Sequence, residues 1–284
     1  MNFFNKAFLL IVSVMLLTAC DNTHHVNTQL FSLDTPTGYL DEPAEENEII
    51  SAVSISSIDG NNVIVTFGAL YQDSAESLLS MQINENFSTS IPGLNIGAPH
   101  TATVAGMETL VADCDGTAKG ETVSGKIYAF TRPPLTFVVL AIGTKGTPDA
   151  TEKVIASITP NKEYLDSIFA SPEAEVDLLI NLARKNGITD NSEEIDIAEI
   201  RTDHVGRKIT YVMSLPGTAD DYADLAENVA ANHRETAGSL HDGYTDDPSL
   251  SVPLRHGYSI CYEYVLYGTD KVIATDTFTP EEIM

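Results

Sequence analysis

The sequence predicts an α+β fold in two domains, with antiparallel sheets packed against helices. Three observations point there. Several stretches alternate apolar and polar residues with the period of a strand, and Gly, Asn and Asp turns separate them. A few longer stretches carry apolar residues at helical spacing. The order of these stretches changes near residues 161–170, where a second helix-led set begins.

In the first half, Leu30 to Tyr39 reads as a short strand ended by Pro36 and Gly38. Val53 and Ile55, then Val63, Val65 and Phe67, flank Asp59-Gly60-Asn61-Asn62, a strong hairpin signal. Asp73 with Glu76 forms a capping-box pattern opening a helix through Leu78, Leu79 and Ile83. Strands are predicted over 101–104, 109–113, 123–131 and 137–142, with turns at Ala105-Gly106 and Pro133-Pro134. Thr147 as N-cap and Pro148 at the first helical position predict a closing helix through Val154, Ile155 and Ile158.

In the second half, Ser171-Pro172 opens a helix on which Val176, Leu179, Ile180 and Ala183 share a face, and Gly187 closes it. Strands over 195–202 and 208–215 turn near Gly206, with Ile209, Tyr211, Met213 and Leu215 on one side. A second helix follows Pro216-Gly217-Thr218, with Tyr222, Leu225, Ala226, Val229 and His233 facing inward. A last hairpin joins 258–266 to 271–278. The order is αββαββ.

Ahead of both lies an apolar run from Ala7 to Leu17, preceded by Lys6 and ended by Leu17-Thr18-Ala19-Cys20. As a helix it spans only about 17 Å, which suits a signal-peptide core and not a bilayer crossing. Leu17-Thr18-Ala19-Cys20 resembles the lipobox of bacterial lipoproteins. That resemblance implies cleavage after Ala19 and acylation of Cys20, with partition into the membrane through roughly 0.8 kcal/mol per buried methylene. The implied location is the cell envelope, facing the periplasm. Asp21 resembles the retention signal for the inner membrane, with the outer membrane as the alternative. The expected organisation is a signal peptide over 1–19, a lipidated polar tether over 20–27, and domains over 28–160 and 161–284.

The charge is strongly one-sided: 41 Asp and Glu oppose 15 Lys and Arg, a net −26, and both halves share the excess. A phosphate backbone needs a basic footprint that is absent, so nucleic acid is excluded as a partner. Anionic headgroups are repelled by the same field. Cys114 and Cys261 lie 147 positions apart with no spacing signature; buried free thiols and a disulfide between them both remain open.

Two further resemblances rest on longer stretches. LFSLDTPTGY, GMETLVADCDGTAKGETVSGKIYAF and FVVLAIGTKGTPDATEKVIASI, spread over 28–160, resemble the PsbP-type fold of DcrB-like lipoproteins and photosystem II extrinsic proteins. That fold brings no catalytic residues and implies a binding or assembly module. Residues 161–284, with the tyrosine-rich strand YSICYEYVLY, resemble a recurring αββαββ domain of bacterial lipoproteins. This chain lacks the cysteines those domains place in the second helix and at the C-terminus.

No chemistry-bearing constellation emerges from the residues. Gly120 to Lys126 fits the G-x4-G-K frame of a phosphate loop, but Ile127 stands where Ser or Thr must hold magnesium, so a hairpin turn is expected. Asp113-Cys114-Asp115-Gly116 starts like a calcium loop, yet Ser124 occupies the position of the bidentate Glu, and a glycine turn is the better reading. Asp242, Asp246 and Asp247 form an acidic loop that is a weak candidate for calcium. His24 and His25 fall in the tether. His204, His233, His241 and His256 lie in separate elements without metal-ligand spacing, and His233 reads as a partly buried core histidine. Ser239 and His241 have no nucleophile motif around them. Tyr258, Tyr262 and Tyr264 share a strand face, as core packing or as a stacking platform for sugar or peptide. The expectation is therefore a non-enzymatic binding or assembly factor without cofactor or metal, held by Cys20 beside an envelope protein partner. The alternatives are a calcium or small-ligand carrier, and then a periplasmic hydrolase.

Overall fold

The structure is a computed structural model that describes residues 24–43, 46–72, 74–87, 91, 93–118, 120–187, 196–246, 249 and 251–284. Cys20, Asp21, the signal peptide, Asp73 and Asp247 lie outside the described residues. The chain divides into two compact units, Met1–Leu165 and Asp166–Met284.

The expected tether gives way at its end to a strand, β1 (His24–Asn27), which pairs with β2 (Phe31–Thr35). Side chains explain the change. Val26 is buried, His25 meets Asp34 at 2.8 Å, and His24 pairs with Asp41. β3 (Tyr39–Pro43), β4 (Ile50–Ser57) and β5 (Asn62–Ala69) follow as an antiparallel meander. The hairpin at Asp59-Gly60 forms as predicted. Its Asp59 carboxylate accepts from the Ser57 hydroxyl at 2.5 Å and from the Asn61 side chain at 2.7 Å, which lowers its pKa to about 2.

Helix α1 (Ala75–Met81) is capped by Ser74, whose hydroxyl accepts from the Ser77 N–H, and it continues as a π-turn over Gln82–Phe87. After β6 (Asn95–Ile96) come β7 (His100–Val104), β8 (Met107–Ala118), β9 (Glu121–Arg132) and β10 (Leu135–Gly143). These join the meander in one antiparallel sheet ordered β3-β4-β5-β10-β9-β8-β6, with β7 also on β8. The Ala105-Gly106 turn takes positive φ at both residues, 49° and 78°, as a tight hairpin requires. Asp113 to Gly116, expected as a turn, lie inside β8, where the ladder with β9 overrides their turn chemistry: Asp113 faces Lys126 and Gly116 faces Val123. The Gly120–Lys126 segment is indeed a hairpin entering β9.

β10 is buried at every position. Val138, Leu140 and Ile142 pack on one side with Phe67, Leu78, Phe87 and Ile127. On the other side the Phe137 ring meets Phe31 of β2 edge-on at 5.3 Å and stacks on Phe130 at 5.4 Å. Gly68 stands opposite Phe137, and a Cβ there would come within 2.8 Å of both the Phe137 and Phe31 rings. Gly125 is still more constrained, because a Cβ would collide with the Ala141 carbonyl oxygen.

Helix α2 (Thr151–Ser157) begins later than the Thr147-Pro148 pattern suggests. The Thr151 hydroxyl and N–H both donate to the Pro148 carbonyl, so 148–151 close a turn ahead of the helix. Arg132 secures its far end, donating to the carbonyls of Ile155, Ala156 and Ile158. β11 (Thr159–Pro160) returns to β2, and α3 (Lys162–Ile168) carries the division between the units.

The second unit opens with α4 (Pro172–Gly187), capped as predicted by Ser171, whose hydroxyl accepts from the Ala174 N–H. β12 (Asp196–Asp203) and β13 (Lys208–Leu215) form a hairpin. Tyr222, predicted on the inner stripe of the second helix, instead ends a 3-10 turn (Ala219–Tyr222), half-buried with its hydroxyl donating to the Pro216 carbonyl, and Ala226 is exposed. Helix α5 (Leu225–Asp246) follows, then α6 (Val252–Arg255), β14 (Ser259–Leu266), β15 (Val272–Phe278) and α7 (Pro280–Ile283). The sheet order is β12-β13-β14-β15, and β13 and β14 run parallel, which departs from the purely antiparallel expectation. Parallel neighbours need a crossover, and the 22-residue α5 supplies it.

Gly125→Ala is expected to destabilise the chain by roughly 2–4 kcal/mol, because β9 must shift from β10 to admit the methyl. Arg132→Met should cost about 1–2 kcal/mol through the lost helix-end hydrogen bonds. Urea denaturation of each variant beside the wild type measures both.

Candidate functional site

The mixed sheet of the second unit has two dissimilar faces. Ile209 and Tyr211 on β13, Ile260 and Tyr262 on β14 and Phe278 on β15 share the face that packs with Val176 and Ile180 of α4 and Ala237 of α5. Of the tyrosines predicted on one strand face, Tyr258, just ahead of β14, and Tyr262 belong to this packing, and Tyr264 is half-buried outside it. Tyr258 is buried, and Tyr262 packs with Tyr211 at 5.6 Å and meets Phe278 at 6.1 Å. Burial pushes the Tyr262 phenol up to about 12. These rings pack beneath the helices as core, and no platform for a sugar is formed by them.

Histidines clasp the helices to this face. His256 meets Glu175 of α4 at 2.8 Å, and His204 meets Asp177 of α4 at 3.1 Å and the Tyr258 hydroxyl at 2.6 Å. His233 of α5 sits between Asp276 at 2.6 Å and Glu282 at 3.4 Å, with its ring stacked on Phe278 at 4.5 Å. His241 bonds the Ile283 carbonyl at 2.6 Å. Sequence order alone missed Glu175, Asp177 and Asp276, since each partner arrives from another element.

The arrangement has a definite chemical meaning. Asp177, His204 and Tyr258 line up as carboxylate, imidazole and hydroxyl, but the hydroxyl is buried and its pKa is raised by that burial, so it offers no exposed nucleophile. The Asp276 hydrogen bond raises the His233 pKa, and both ring nitrogens face carboxylates, which suits a fixed imidazolium. Ser239 donates to the Glu235 carbonyl within its own helix and stands apart from the His241 contact.

Other predicted residues are placed plainly. Asp242 and Asp246 lie within α5 and not in a loop. Among the described residues no three His, Cys, Asp or Glu side chains gather as a metal site. Cys114 and Cys261 are separate buried free thiols, and burial pushes the Cys114 thiol up to about 12.

The opposite sheet face carries the candidate site. A bulge between Ile197 and Glu199 sets Ala198 and Glu199 toward it, and Arg201, Val212, Ser214, Glu263 and Val265 follow by alternation. Arg201 on β12 reaches across β13 to Glu263 on β14, at 2.6 Å, and also meets Glu199 at 3.3 Å. That bridge spans two strand spacings, roughly 10 Å, across β13. Beside it opens a depression of about 730 Å³ that continues to Leu266, Tyr267 and Asp270 of the β14–β15 turn. Tyr267, at 47% exposure, is part of its lining, and Val272, at 46%, pairs with the lining Val265. In the first unit a second depression, of about 510 Å³, is lined by Asp34, Tyr39, Asp149, Lys153 and Ser157 among others.

No family model matches the chain, and no curated protein matches it. Solved structures do. A protein of Bacteroides thetaiotaomicron is similar at 12% identity over 55% of this chain, with a TM-score of 0.34; the match spans 58% of that protein's length. Cyanobacterial PsbP from Synechocystis matches at 6% identity over 52% of this chain and 98% of its own, with a TM-score of 0.35. LpqN of Mycobacterium tuberculosis, described as involved in cell envelope biogenesis, matches at 16% identity over 46% of this chain and 83% of its own, at 0.25. None of these three reaches a TM-score of 0.5.

The His233 clasp gives a pH prediction. Its pKa is raised above the ordinary 6.5, so its contribution is full below that value and is lost as pH rises through the higher folded value. His233→Gln should be less stable than wild type at pH 5.5, with the gap narrowing by pH 9. Thermal unfolding of both proteins across that range measures it; a gap that is constant or widens with pH would overturn the assignment.

Proposed function

We propose that the protein is a membrane-tethered binding or assembly factor of the bacterial cell envelope, anchored through acylated Cys20 and acting without catalysis of its own. The observation that carries this reading is the second unit's sheet face opposite the helix-packed core, where Tyr267 and Val272 are exposed and a depression is lined by Glu199, Arg201 and Glu263. Exposed aromatic and aliphatic side chains rimmed by charge are what a partner surface needs. The Leu17-Thr18-Ala19-Cys20 lipobox and the resemblance to PsbP- and DcrB-like modules support the envelope address, and Asp21 favours the inner membrane. The engaged ring nitrogens of His204 and His233 support a role outside acid–base chemistry.

The test is a crosslinking pulldown from membranes, comparing wild type with Cys20→Ala. The expected result is a specific envelope complex recovered by the wild type and lost with the anchor. Equal recovery by both would remove the tether from the function. Recovery of nothing specific by either would end the assembly reading.

A further inference from the structure

We propose that the Tyr267 depression is the docking site for a polypeptide segment presenting lysine or arginine. This deepens the partner reading above and rests on it. The lining carries three carboxylates, Glu199, Glu263 and Asp270, against one guanidinium, Arg201. Arg201 is already committed, bonded to Glu263 and close to Glu199, and the Glu263 hydrogen bond raises its pKa further. Asp270 projects from the exposed turn. The site therefore keeps surplus negative charge over an apolar floor of Val212, Val265 and Leu266.

Charge selects among occupants. A second copy of this chain brings another −26, and an anionic lipid surface brings the same sign, so both are repelled. A basic segment is attracted by the site and by the whole body. Its alkyl stems fit Val265 and Val272, which face each other across β14 and β15, and its cation can lie over the half-exposed Tyr267 ring. Complementarity of this kind steers encounter and fixes register.

The chain contains no tryptophan, so a probe peptide can carry the only one. The experiment titrates the full mature protein into a decapeptide of alternating lysine and threonine bearing one tryptophan, at about 0.15 M salt, where the Debye length is about 8 Å. Saturable binding is expected. Glu199→Lys with Asp270→Lys should weaken it about tenfold, and Tyr267→Ala severalfold, as central interface residues do. An equal charge change on the first unit, Glu108→Lys with Glu121→Lys, should weaken it less than about twofold if screening confines the attraction to the site. Circular dichroism of each variant verifies the fold.

Equal weakening by both double variants would overturn the proposal, because the attraction would then belong to the whole body. Absence of saturable binding by wild type would overturn it as well. Site-specific binding together with a pulldown unaffected by Cys20→Ala would leave this surface standing and remove only the tether.

Discussion

The first unit depends on β10 being buried on both faces. A central strand covered on one side needs only alternation, but Leu135 to Gly143 must be apolar or small throughout and must be roofed twice. Helix α1 and its π-turn supply one roof, with Leu78 and Phe87. The other comes from β2 and α2, and Phe31 reaches Phe137 only because Gly68 has no side chain in the way. The small three-stranded sheet β1-β2-β11 exists to hold that lid, and Arg132 fastens α2 to the same layer.

The second unit solves a different problem, that of holding helices on a sheet in a chain poor in Lys and Arg. Arg184 of α4 bonds the Ile200 carbonyl, but much of the remaining polar fastening runs through histidine. Glu175 and Asp177 reach His256 and His204, and His233 reaches Asp276 and Glu282. Excess carboxylate is thereby used locally, at joints where a neutral polar pair would be weaker.

Much of this was readable from residue order, and the failures have physical causes. Asp59-Gly60-Asn61-Asn62 specifies its own hairpin through side-chain contacts two residues away, so nothing distant is needed. β1 escaped notice because four residues give no period, and its partners Asp34 and Asp41 come from later strands. Asp113 to Gly116 have the composition of a turn, yet the long ladder with β9 decides their state. The parallel β13–β14 pair is invisible to alternation, which reports faces and not direction. The candidate surface was legible in part: the same alternation that sends Tyr211 inward sends Val212 outward. The bulge at Ala198 and the Arg201 bridge over β13 needed coordinates.

One consequence follows from where β1 begins. On the proposed anchor, only Asp21, Asn22 and Thr23 separate the acylated cysteine from His24, a reach of at most roughly 14 Å. That is less than about two Debye lengths at 0.15 M salt. The lipid is then a short shackle and not a leash, and the first unit has little freedom to tumble above the bilayer. A pull on the anchor is delivered in line to β1, and through its ladder to β2 and the Phe31–Phe137 contact. With such an anchor, mechanical load at the membrane would enter the first unit at the Phe31–Phe137 contact.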